Sequence, residues 1–175
     1  MTSEIQHYFT LFNDDFSYFE TELHDWFLNP VVTPKTIRKI RDTYQLTKDV
    51  TTYNAVLDRV YKATLDFLTV SFAGRHTGRR FLLALQAEMV GKTPLDYNNQ
   101  VLFKILHQID FSISDFVKHF PYARASLVRN QRNFHSEKLS TLPTTFIYFK
   151  DEAIKIEQRP QSQIFDYLDQ KAVEL

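Results

Sequence analysis

The stretch from Phe111 to Gln158 constrains this chain more than any other. It reads FSISDFVKHF, then PYARASLVRNQRNFHSEKL, then STLPTTFIYFKDEAIKIEQ. Ser112 or Ser114 can cap a first helix in which Ile113, Phe116 and Val117 point inward. Pro121 has no N–H and clashes with the preceding turn, so a break is expected there, with Tyr122-Ala123 completing a tight turn. Residues 124–139 make a second helix. At about 100° per residue, Leu127 and Phe134 share one face. Ala125, Ser126, Arg129, Arg132, Asn133 and Ser136 take the other. From Thr144 to Gln158 apolar residues alternate as two strands, Phe146 and Tyr148 in the first and Ile154 and Ile156 in the second. Lys150-Asp151-Glu152 supplies the turn.

Helix, turn, helix and hairpin in that order read as a winged helix-turn-helix. An Arg, Asn and Ser set on one exposed helix face suits DNA. Arg can bridge guanine O6 and N7, Asn can bridge adenine N6 and N7, and Ser can hold phosphate. The expected DNA contacts are Lys118, Arg124, Ser126, Arg129, Arg132 and Asn133. A polar surface helix without a partner is the plainer reading of the same residues. The acidic hairpin tip is a poor design for phosphate contact, so the wing is expected to serve packing.

The rest of the chain reads as helical. Ile5, Phe9, Phe12, Phe16, Phe19, Leu23 and Trp26 recur at spacings of three and four, which predicts one amphipathic helix over residues 3–28. Asn29-Pro30 ends it. That helix either packs on its own domain or serves as a homodimer or partner surface. Thr33-Pro34 looks like an N-cap followed by proline at the first helical position, opening a basic helix to about Leu46 that carries Lys35, Arg38, Lys39 and Arg41. Residues 49–72 and 77–90 make two more helices. Between them Arg75, His76, Arg79 and Arg80 form the densest basic cluster, with Arg75, Arg79 and Arg80 as candidate phosphate contacts. Gly91-Lys92-Thr93-Pro94 is the expected domain boundary. Residues 1–92 would be a helical supporting or dimerising domain and 93–175 the winged domain, opened by a helix at 95–109. A short helix at 161–171 closes the chain. The expected fold class is mainly α, a helical N-terminal bundle followed by a winged helix-turn-helix with a small β-hairpin.

Composition narrows the function. Among 175 residues there are 16 Phe and 9 Tyr, enough for a sizeable core, and no Cys. Thiol nucleophiles, disulfides and thiolate zinc sites are therefore excluded. The six His show no metal-ligand spacing, and there is no G-x-S-x-G elbow. No catalytic residue, metal or cofactor is expected, and the protein is read as not an enzyme. No run is long and apolar enough for a membrane span, and the start lacks a signal-peptide pattern, so a cytoplasmic location is expected. The net charge is zero, but residues 1–30 hold six acids and no Lys or Arg, while residues 31–92 hold eleven bases against five acids. Phosphate attraction depends on a local basic face rather than the total.

The helix VLFKILHQ, then FSISDFVKHF, then ARASLVRNQRNFHSEKL, the two-stranded wing and QSQIFDYLDQ together resemble the Mga-type regulators (M-protein trans-acting positive regulators) over about residues 95–170. Ser126 and Arg129 are the nearest match to that family's Ser-x-x-x-Arg recognition helix. The resemblance implies a transcriptional regulator that binds double-stranded DNA by placing residues 124–139 in the major groove. The alternative is a non-enzymatic interaction module in which the winged helix and the aromatic N-terminal helix bind a protein partner.

Overall fold

The computed structural model describes residues 4–20, 24–149, 152–159 and 161–173. Its centre is a four-stranded mixed sheet. The strands are β1 (Glu4–Phe9), β2 (Asp25–Pro30), β3 (Thr144–Phe149) and β4 (Glu152–Glu157), in the order β2-β1-β3-β4. β1 runs parallel to β2 and antiparallel to β3, and β4 returns antiparallel along β3. Between β2 and β3 the chain makes a long helical excursion: α1 (Pro34–Thr43), α2 (Val50–Ser71), α3 (Arg75–Glu88), α4 (Asn99–Gln108) and α5 (Ile113–Ser136). α6 (Gln161–Val173) follows β4. The sheet takes strands from both sides of the boundary expected at 91–94.

Three expectations are corrected. The first is the helix over residues 3–28, which is absent. In its place stand β1, a 3-10 turn at Ser17–Glu20 and β2, with residues 21–23 outside the described part. Ile5 and Phe9 satisfy a helical spacing and a strand spacing equally well. The residue between them that decides is His7, fully buried on the same face of β1. Asn13-Asp14-Asp15 breaks the run, and Phe12 adopts a left-handed φ of 68°. With this helix goes the proposed homodimer surface.

The second is the break at Pro121. α5 runs through it unbroken for 24 residues. Proline there removes the hydrogen bond to the carbonyl of Val117, which sits on the outer side of the helix where Val117 is 64% exposed. Water can satisfy a carbonyl on that side, so the helix continues. There is no turn and no separate recognition helix. The third is the wing. The two expected strands exist as β3 and β4 and pair antiparallel, with the expected turn at Lys150-Asp151 outside the described part, but β3 is an inner strand of the sheet.

The helices expected from Thr33-Pro34, residues 49–72 and residues 95–109 correspond to α1, α2 and α4. Thr33 caps α1, its hydroxyl accepting from the Thr36 N–H at 3.1 Å. Ile5, Phe9, Trp26 and Ile147 of the sheet join one continuous core with Phe67 of α2, Phe81 and Leu82 of α3, and Ile164 and Leu168 of α6. Tyr8 points to the opposite face and packs with Val31, Phe134, Leu139 and Leu142. Ile37 and Ile40 seal α1 against Val56 and Val60 of α2.

Candidate functional site at the strand ends

In open sheets with parallel strands, ligands gather beyond the carboxyl ends of those strands. Here that region lies past Phe9 and Pro30. β1 leads into the crossover from Thr10 to His24, and β2 leads into the cap of α1. The loop before β3, with a cis Leu142–Pro143 peptide, arrives at the same end because Tyr8 pairs with Thr144.

The crossover side is closely hydrogen-bonded. His7 Nε2 lies 2.8 Å from Asp14 Oδ2, and His7 Nδ1 lies 2.7 Å from Thr145 Oγ1. The tautomer that donates Nε2–H to the carboxylate leaves Nδ1 to accept from the Thr145 hydroxyl. His7 and Thr145 are essentially inaccessible, and the Asp14 side chain is 9% exposed. An aspartate, histidine and hydroxyl in series resemble the order of a nucleophilic triad. The hydroxyl is sealed inside the β1–β3 pair, however, where no substrate carbonyl reaches it. The series pins the crossover to the sheet.

Asp15 adds a second fastening. Its Oδ1 accepts from the Ser17 N–H, the Ser17 hydroxyl and the Gln86 amide at 3.0, 2.7 and 2.8 Å. Led by the Ser17 backbone donor, these bonds hold its carboxyl below the usual aspartate range. Gln86 Oε1 in turn accepts from the Phe16 N–H at 2.8 Å. Beneath this loop lies a cavity of about 290 Å³ lined mainly by Phe12, Phe16, Tyr44, Leu82 and Leu85, with Asp14, Gln86 and Lys92 as its polar members.

The α1 side is different. A cavity of about 300 Å³ is walled by Thr33, Pro34, Lys35, Arg38 and Lys39 of the α1 entry, by Phe134 and His135 of α5, and by Ser140, Leu142 and Gln158. Among the described residues no carboxylate lines it. Of its cations, Lys35 reaches the Ser140 carbonyl through Nζ at a marginal 3.4 Å. Arg41, just outside, is matched by Asp42 at 3.1 Å.

The residues singled out in the sequence lie elsewhere. Lys118, Arg124, Arg129, Arg132 and Asn133 are exposed along α5, and Ser126 is buried against the core. Of the arginine cluster, Arg75 binds Asp25 at 3.0 Å and stacks over Phe27 at 4.3 Å. Arg79 donates to the His24 carbonyl and lies over Phe19. Both fasten the start of α3 to the β2 edge, while Arg80 is exposed. Lys35, Arg38 and Lys39 were visible in the sequence as a basic helix. Their convergence with His135 and Ser140, a hundred residues away, was not. His7 had one signal, a histidine at the middle of an Ile5-x-His7-x-Phe9 alternation.

Among the described residues no helix is long and apolar enough to cross a membrane, and no cluster of His, Asp or Glu has the geometry of a metal site. A family model described as thioredoxin matches residues 25–167. The crystal structure titled "putative protein disulfide isomerase from Nitrosomonas europaea" superposes with a TM-score of 0.64 at 11% sequence identity, covering 99% of this chain and 99% of that one. No curated protein matches in sequence. These findings, with the unbroken α5, overturn the Mga-type resemblance and the winged fold. Double-stranded DNA as the partner and transcriptional regulation fall with them. The alternative docking module falls too, because neither the winged helix nor the aromatic N-terminal helix exists. The architecture is α/β, and the chain belongs to the thioredoxin family.

Proposed function

We propose that this protein is a thioredoxin-family member that performs no thiol–disulfide exchange and works by binding a ligand at the carboxyl ends of β1 and β2. The observation that carries this reading is the cysteine count of zero in 175 residues. Disulfide exchange needs a thiolate to attack a sulfur and form a mixed disulfide, and no other side chain substitutes for it. In redox members of such folds the attacking cysteine belongs to a C-x-x-C motif, its thiolate favoured by a helix N-terminus. Here the β1–β2 crossover holds a four-residue 3-10 turn, and its polar groups are engaged in fastening the loop. The neighbouring structure's title names a disulfide isomerase, and this chain spans nearly all of that one, so the region that would hold the thiols lies within the aligned length.

A binding role without thiol chemistry is the reading this supports. A cytoplasmic location suits it, since a cysteine-free chain gains nothing from an oxidising compartment. The test is turnover of a disulfide-bonded protein substrate by dithiothreitol, with and without a molar excess of this protein. Equal rates are expected. Acceleration above the dithiothreitol background would overturn the reading.

A further inference from the structure

We infer that the cavity at the entry of α1 binds a small molecule carrying two or more anionic oxygens, of the phosphate or polycarboxylate type. The inference rests on the binding role proposed above and supplies its ligand class. Three side chains from one helix, Lys35, Arg38 and Lys39, and one from another, His135, surround a space of about 300 Å³. That volume lies at the lower end of small-molecule sites. Phe134 and Leu142 give it an apolar floor, and Thr33, Ser140 and Gln158 add neutral polar groups at the rim. Cations of one sign brought together without a counter-charge repel one another, and a bound anion relieves that repulsion.

The attraction comes from these side chains and not from the helix end. Most of the first N–H groups of α1 are already used: Pro34 has none, the Thr36 N–H is held by the Thr33 hydroxyl, and the Ile37 N–H by the Thr33 carbonyl, which leaves that of Lys35. The contrast with Arg41 sharpens the point. It lies on the same helix, is paired with Asp42, and does not line the cavity. A long polyanion is a poorer fit than a small one. The cations gather at one half-open concavity of about 300 Å³ rather than along a stripe on which a polymer backbone can lie.

The experiment is isothermal titration calorimetry on the full chain at low ionic strength, with inorganic pyrophosphate and citrate as probes. The variants are Lys35→Gln with Arg38→Gln, and Arg41→Gln as the control. All are exposed positions or partly so, and far-UV circular dichroism verifies that each variant folds. Binding of either probe by the parent protein is expected. At least a tenfold weaker Kd is expected in the double variant, with little change in Arg41→Gln and a marked loss of affinity as salt is raised. Absence of binding of both probes at millimolar concentration would overturn the inference. So would affinity that survives the double variant, or binding of an acidic peptide in place of both small anions. None of these outcomes bears on disulfide turnover, so a failure here and a failure of the non-redox reading are separately visible.

Discussion

The two cavities at the strand ends are nearly equal in volume and differ in how their polar groups are satisfied. Under the crossover, Asp14 faces His7, His7 faces Thr145, and Asp15 is held by Ser17 and Gln86. At the entry of α1, Lys35 makes one marginal contact to the Ser140 carbonyl, and among the described residues Lys35, Arg38 and Lys39 have no carboxylate partner. A buried polar group that has its partners contributes to holding the fold, and losing one partner exposes the full desolvation cost of the other. An exposed, uncompensated charge contributes little to stability and is available to something outside the chain. The difference assigns structure to the first cavity and ligand binding to the second.

The largest expected effect comes from breaking the crossover network at its centre. His7→Ala leaves the Asp14 carboxylate and the Thr145 hydroxyl without their ring partner in a dry site. Loss of a buried ring from a packed core, together with the hydrogen-bonding groups left unsatisfied, costs on the order of 3–5 kcal/mol. In a domain of this size each kcal/mol is worth roughly 2–4 °C, so the melting temperature should fall by about 10 °C or more. A fall of only a degree or two, by calorimetry at neutral pH, would mean the network is not structural. Thr145→Val is the milder form. It keeps the shape and removes the hydroxyl, so about 1–3 kcal/mol of stability is expected to be lost, measured by urea denaturation.

The same pair of mutations shows why the sheet was hard to read in the sequence. Strand β1 is specified by a partner 138 residues away, Thr145, and by a polar residue, His7, at a position where an alternation rule looks for an apolar one. The apolar residues alone, from Ile5 to Trp26, fit a helix. By contrast α1 announces itself locally, through Thr33, Pro34 and the spacing of Ile37 and Ile40. The hairpin at residues 144–157 was legible as strands, but its place inside a sheet was not, since its neighbour is the first segment of the chain. The proline in α5 misled for a physical reason: it removes one hydrogen bond, to the Val117 carbonyl, on the exposed side of the helix, where water can replace it. The basic cavity divides the same way. Its α1 wall is a local pattern, and its other wall depends on tertiary packing.

On the α1 side the prediction runs the other way. Arg38→Gln with Lys39→Gln removes two exposed charges that have no recorded ion pair, and stability should stay within about 0.5 kcal/mol of the parent. A slight gain is the expected direction, because crowded like charges are relieved. A loss above about 1 kcal/mol in urea denaturation would show that these side chains hold the fold and would erase the contrast between the cavities.

The smallest effect is a pH dependence at Asp15. Its carboxyl is held below the ordinary value of 3.8 by hydrogen bonds that favour the ionised form. The unfolded chain therefore binds this proton at a higher pH than the folded one does, and stability rises with pH across the interval between the two values. The contribution is fully present above 3.8 and is lost as the pH falls through the lower, folded value. Asp15→Asn keeps an oxygen acceptor but not the charge, so its melting temperature should lie slightly below that of the parent at pH 6. The two should converge as the pH is lowered past 3.8 toward the folded value. Because the group is largely solvent-facing, the gap at pH 6 should be small. A gap that persists unchanged at the lowest pH at which both proteins fold would mean that the bonds to Ser17 and Gln86 do not depend on the charge.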